Sequence, residues 1–189
     1  MGQWLTTKDL DNYCEIIEEK IDDPNIFKIF VETGTAYGQT VAEIQPYFEK
    51  IFTVEISKQL WEWTNPKIND CENVEHVLGD SLIEVPKFLD SLTEEDKVFF
   101  WLDAHWSQGL SDKNHLDCPL VEECVIIDNQ YKADIGLVVI DDIRMFETKG
   151  NEDWTEVSNE AVRSSFKNFE ILISKEIDDR LVLLISRRK

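Results

Sequence analysis

Three aspartates and a histidine carry the strongest chemical signal in the chain. Asp103 follows the apolar run Val98 to Leu102, Asp141 and Asp142 follow Leu137 to Ile140, and His105 stands two residues beyond Asp103. If the two runs are neighbouring strands, roughly 4.8 Å apart, their terminal carboxylates emerge at one edge. Three oxygen ligands of this kind suit a hard cation such as magnesium, which keeps water sites open for a substrate. Extended backbone after Asp103 would turn His105 to the same side, where an imidazole can contact the cation or remove a proton. The competing readings are that strand-end aspartates cap helices or form turns, and that Asp142 pairs with Arg144.

A second group occupies the first half of the chain. Gly34 and Gly38 lie in the turn Glu32-Thr33-Gly34-Thr35-Ala36-Tyr37-Gly38, where missing side chains permit a sharp turn and close approach of a ligand. Tight packing alone would also explain two glycines. A dinucleotide fingerprint needs a third glycine where Glu32 stands, and a carboxylate there repels pyrophosphate, so NAD is disfavoured. Glu32 suits instead a cationic group such as the amino group of a methionine moiety. Glu55 ends the next strand twenty-one residues after Gly34, close to the roughly 20-residue offset at which an acid accepts from ribose hydroxyls. Asp80 could accept from the exocyclic amine of adenine and Ser81 could cap the following helix; capping or turn formation is the alternative for Asp80.

These residues require a particular order of elements. Thr6 to Asp9 is a capping signal, followed by apolar residues at helical spacing from Leu10 to Ile21. Strands are then predicted at Ile26 to Val31, Ile51 to Ile56, Val74 to Leu78, Val98 to Leu102 and Leu137 to Ile140. Helices separate them around Val41 to Phe48, Leu60 to Trp63, Leu82 to Leu92 and Leu120 to Ile127. Strands apolar throughout, alternating with helices, predict an α/β fold with a mostly parallel sheet covered on both faces. Phe169 to Ser174 and Leu181 to Ile185 are too close for a crossover helix and must pair antiparallel. Glu147 to Trp154 and Ser107 to Asn114 are the most loop-like stretches.

With a length of 189 residues the chain reads as one domain, an N-terminal helix over residues 1–25 and a core over 26–187. Nineteen Lys and Arg against 39 Asp and Glu leave a net charge of −20, which repels nucleic acid and anionic lipid. No apolar run approaches the roughly 18 residues of a membrane span, and the first ten residues lack the pattern of a secretory signal. Cys14, Cys71, Cys118 and Cys124 are scattered without metal-ligand spacing, with Cys118 and Cys124 flanking a helix, and read as reduced thiols of a cytoplasmic protein. His76 within a strand and His115 in a loop read as structural. Trp101 reads as core, and Trp106 and Trp154 as walls of a cleft.

Taken in order, VETGTAYG (Val31 to Gly38), TVEIS (Thr53 to Ser57), LGDS (Leu78 to Ser81), WLDAH (Trp101 to His105) and VIDD (Val139 to Asp142), with the final hairpin, resemble the class I S-adenosylmethionine-dependent methyltransferases. The resemblance spans roughly residues 26–187, and the paired acidic motifs resemble the small metal-dependent O-methyltransferases acting on sugars and natural products. It implies a Rossmann-like seven-stranded sheet with an antiparallel last strand, with Glu32, Gly34, Thr35, Tyr37 and Gly38 at the methionine end of the cofactor. Glu55 falls at the ribose, Asp80 and Ser81 at the adenine, and Asp103, Asp141 and Asp142 at a magnesium ion. His105 is then the general base toward a small-molecule or glycan acceptor. A nucleoside-binding module without turnover and an NAD-dependent oxidoreductase are the rival functions, and a homodimer stays open.

Overall fold

The computed structural model describes residues 4–68, 70–105 and 118–189. Trp106, the stretch 107–114 and His115 lie outside the described residues. Seven strands form one sheet in the order β3-β2-β1-β4-β5-β7-β6. The first five, β1 (Ile29–Thr33), β2 (Lys50–Glu55), β3 (Val74–Leu78), β4 (Val98–Leu102) and β5 (Ile135–Ile140), run parallel, while β7 (Arg180–Arg187) is antiparallel to both β5 and β6 (Phe169–Ile177). This is the α/β arrangement expected from the alternation.

Helices α1 (Thr7–Ile17), α2 (Gln39–Ile44), α3 (Lys58–Ile68), α4 (Ser81–Asp90), α5 (Leu120–Gln130) and α6 (Asn159–Ser165) accompany the sheet. The sheet carries a buried apolar cluster on each face. One is centred on Phe100, Leu120, Ile127 and Leu183, the other on Phe30, Ile44, Phe99 and Leu184. Covering on both faces explains why β1 and β4 are buried at every position instead of alternating.

Several boundaries differ from expectation for local reasons. Ile26 belongs to a 3₁₀ turn opened by Pro24, so β1 begins three residues later. The second helix stops at Ile44 because Pro46 has no N–H to donate to the Ala42 carbonyl, and Gln45–Tyr47 tightens into a 3₁₀ turn. Helix α6 was absent from the pattern: Ala161 and Val162 are its only apolar residues, and Ser158 caps it by accepting from the Ala161 N–H. Cys124 lies inside α5 instead of beyond it, and all four cysteines are free. The last hairpin is tighter than expected, since Lys175 to Ile177 extend β6 and only Asp178 and Asp179, both left-handed, form the turn. Arg180 is thereby placed as the first residue of β7. No helix among the described residues is long and apolar enough to cross a membrane.

Candidate active site

The strand order reverses between β1 and β4, and in open α/β sheets ligands bind at such a switch point, beyond the carboxyl ends of the strands. Glu32 is the fourth residue of β1, 1% exposed. Thr53 Oγ1 donates to its Oε2 at 2.5 Å, and the Thr35 and Thr53 hydroxyls lie 2.6 Å apart. Burial pushes the Glu32 carboxyl up to about 8, although the Thr53 and Thr40 hydroxyls pull it down. A cation arriving beside it would restore the carboxylate, which is the chemistry an ammonium-bearing ligand needs.

Both glycines of the turn have left-handed backbone, φ 84° at Gly34 and 72° at Gly38. A Cβ on Gly34 would stand 2.7 Å from the Asp103 carbonyl oxygen, and one on Gly38 2.6 Å from Thr64 Cγ2. Packing therefore requires both, the first because the turns after β1 and β4 touch. Thr35 is buried and Tyr37, 44% exposed, projects from the turn. Glu55 fastens this turn to β2: its Oε2 accepts from the Ala36 N–H and its Oε1 from the Ser57 N–H, both at 2.8 Å. Asp80, not Ser81, is the N-cap of α4, accepting from the Leu82 N–H at 3.0 Å.

Ser81 hydrogen-bonds instead to Glu123 of α5, a residue that sequence reasoning missed. Glu123 is 1% exposed, accepts from Thr33 Oγ1 at 3.2 Å, and leaves its Oε1 without a partner among the described residues. Burial pushes its carboxyl up to about 7. Its signal was an acid on the helix face formed by Leu120, Cys124 and Ile127. An orphaned buried acceptor between the ends of β1 and α4 fits a ligand that brings N–H or O–H donors to this edge.

At the other end, one atom each from Asp103, His105 and Asp142 lies within 4.8 Å of the rest. His105 Nε2 stands 3.5 Å from Asp142 Oδ2 and 4.0 Å from Asp103 Oδ1. Asp142 reaches this place through a left-handed backbone, φ 59°. Burial and the nearby Asp141 charge hold Asp103 well above the usual carboxylate range. Burial disfavours a charged His105, but Asp142, Asp103 and Glu152 outweigh it and push the imidazole up to about 9.

Asp141 does not join the set. Its Oδ1 accepts from Arg180 Nε at 3.0 Å, while Oδ2 is buried without a partner among the described residues. Nor are the carboxylates uncompensated: Arg144 pairs with Asp142 and Asp179, and the first of these pairs is the alternative that the sequence left open. Glu152, unforeseen in a stretch read as loop, bonds His105 Nδ1 at 2.9 Å, and Trp154 packs against His105 with ring centroids 5.6 Å apart. The Asp103 and Asp142 carboxylates, brought together beside His105, are hard oxygen donors that fit a divalent cation. His76 is structural, stacked on Trp61, and Trp101 is core.

No family model matches the sequence, and no curated protein does. Solved structures do match. Fibrillarin in its complex with Nop5p superposes with a TM-score of 0.57 at 13% identity, over 86% of this chain and 74% of that one. The methyltransferase domain of bacterial CtHen1 gives 0.54 at 13% identity, over 94% and 96%. Ribosomal protein L11 methylase from Lactobacillus delbrueckii subsp. bulgaricus gives 0.51 at 14%, over 97% and 79%. At such identities the likeness is one of fold, and together with the strand order it shows that this chain has the Rossmann-like fold of the class I methyltransferases.

Proposed function

We propose that the protein transfers a methyl group from S-adenosylmethionine to a hydroxyl oxygen of a small-molecule or glycan acceptor. The observation that carries this reading is the meeting of Asp103, His105 and Asp142 at the strand edge next to the buried Glu32, in a methyltransferase fold. Glu32 and the turn from Gly34 to Gly38 hold the cationic methionine end, Glu55 the ribose, and Asp80 with Ser81 and Glu123 the base. The cofactor supplies a methyl group on a sulfonium, which becomes a neutral thioether as the C–S bond breaks and the new C–O bond forms.

His105 Nε2 takes the acceptor's proton, and the imidazolium so formed lies against Asp142 and Asp103. Asp103 and Asp142 are the residues that would hold magnesium, whose charge lowers the pKa of a nearby hydroxyl. With that charge present, Nε2 no longer needs its own proton to offset two carboxylates and is free to act as base. A net charge of −20 repels a polyanionic acceptor such as RNA at long range, which favours a small-molecule or glycan acceptor.

S-adenosylhomocysteine is expected to bind and to raise the melting temperature, because a ligand held only by the folded state stabilises it by mass action. Glu55→Gln should weaken that binding at least about tenfold, since it replaces the carboxylate that meets the ribose and fastens the turn. Calorimetry showing NADH bound and S-adenosylhomocysteine not would move the protein to the oxidoreductases. A divalent cation is expected to be needed for turnover, and Asp142→Asn to remove the need together with most activity. Full wild-type activity in excess EDTA would favour a second reading, in which the His105 imidazolium and Arg144 alone balance the carboxylates.

A further inference from the structure

The segment between β5 and α6 is folded back on itself. The Glu147 N–H donates to the Val157 carbonyl at 2.9 Å and the Trp154 N–H to the Thr148 carbonyl at 3.0 Å, while the Gly150 N–H donates to the Glu152 carbonyl at 3.0 Å. The Trp154 side chain is buried, and its indole Nε1–H donates to Glu152 Oε2 at 2.9 Å. The same oxygen lies 2.9 Å from His105 Nδ1. A carboxylate has no hydrogen to give, and this oxygen already accepts from the indole N–H, so the hydrogen shared with the imidazole comes from Nδ1. The nitrogen left over, Nε2, is the one that faces Asp142 and Asp103.

We propose that Glu152 is a positioning residue for His105, accepting from Nδ1–H and so holding the ring with Nε2 turned toward Asp142 and Asp103. The inference rests on the base role given to His105 above. The proton moves from the acceptor oxygen to Nε2, the Nδ1–H stays on Nδ1, and the Glu152 carboxylate offsets the imidazolium charge. Carboxylate, imidazole and reacting oxygen then stand in the order in which an acid orients a histidine base in hydrolases, but on an unrelated site. Trp154 fixes the carboxylate by bonding the same oxygen and packing on the ring it orients. Without Glu152 the ring can rotate or change tautomer, and Nε2 loses its fixed direction.

The test is nuclear magnetic resonance of the full chain labelled with 15N-histidine, which has only three histidines to assign. One Nδ1-bound proton, hydrogen-bonded and far downfield, is expected in the wild type and missing in His105→Ala. It should be lost in Glu152→Ala and retained at a less downfield position in Glu152→Gln, whose amide oxygen is a weaker acceptor. S-adenosylhomocysteine affinity by calorimetry should stay within about threefold in both, because Glu152 touches the imidazole and not the cofactor end. A wild-type His105 with its proton on Nε2 and a bare Nδ1, or an unchanged downfield signal in Glu152→Gln, overturns the inference, and the second result decides even if Glu152→Ala fails to fold. Loss of the signal in Glu152→Ala together with full turnover by His105→Ala would leave Glu152 as the orienting residue and remove the base role instead.

Discussion

His105→Ala is expected to lower kcat by roughly 10²–10⁴, the range for loss of a general base, with affinity for S-adenosylhomocysteine nearly unchanged. A hydroxyl with a pKa far above neutral supplies little oxyanion without a group to take its proton, and His105 Nε2 is the imidazole nitrogen that the fold directs at the carboxylate pair. Removing it leaves Glu32 and Glu55, on β1 and β2, in place. The wild-type rate should rise with pH through one ionisation that the variant lacks. Near-normal kcat with the same pH profile would make His105 structural and pass the base role to an aspartate.

The same residue has a stability signature when no cation is added. Its folded pKa, pushed up to about 9, lies above the roughly 6.5 of an unfolded histidine, so the stability it contributes is present in full below the lower value. That contribution is lost as pH rises through the higher one. The gap in melting temperature between wild type and His105→Ala should therefore narrow between pH about 6 and about 10. A gap that widens would show that His105 is held neutral by burial.

The residues at the strand ends were legible because a strand buried on both faces is an apolar run, and the first polar residue after it marks the edge. Val98 to Leu102 begins and ends where β4 does, and Asp103 follows at once. The same rule located Asp141–Asp142 after β5. It could not say where each carboxylate turns, because that is decided by partners far away in sequence. Asp141 and Asp142 are adjacent, yet one faces Arg180, 39 residues on, and the other faces His105 and Arg144. Glu152 reaches His105 across 47 residues from a segment without periodicity. Arg180 read as linker, since nothing local shows that two left-handed aspartates tighten the turn before it.

Two arginines from a chain with few cations are committed beside the site, one at each of the paired aspartates. They differ in environment. Arg144 is half exposed and its pairing is screened, so little stability is expected from it. Arg180 is 2% exposed, and its guanidinium joins the sheet edge to the N-terminal helix.

Arg180→Met is accordingly expected to destabilise the protein by about 3–5 kcal/mol, the cost of removing one partner from a buried ion pair. Arg180 Nε donates to Asp141, one terminal nitrogen lies 3.2 Å from both Asp9 Oδ2 and the Tyr13 hydroxyl, and the other donates to the Trp4 carbonyl at 3.4 Å. The guanidinium also lies over the Trp101 ring, 4.8 Å from its centroid. Methionine restores much of the volume and the contact with Trp101, but it leaves Asp141 buried without a cation, beside a second oxygen that already lacks a partner among the described residues. The Asp141 carboxyl, already pushed up to about 6 by burial against the pull of Arg180, should then take up a proton at neutral pH. Arg180→Met with Asp141→Asn should recover part of the loss, because a neutral amide needs neither a buried charge nor the uptake of a proton, and the two effects should be non-additive by more than about 0.5 kcal/mol. Urea unfolding of the four proteins checks this. A single-variant loss below about 1 kcal/mol, or strict additivity, would show that Arg180 is no more than packing between α1 and the sheet.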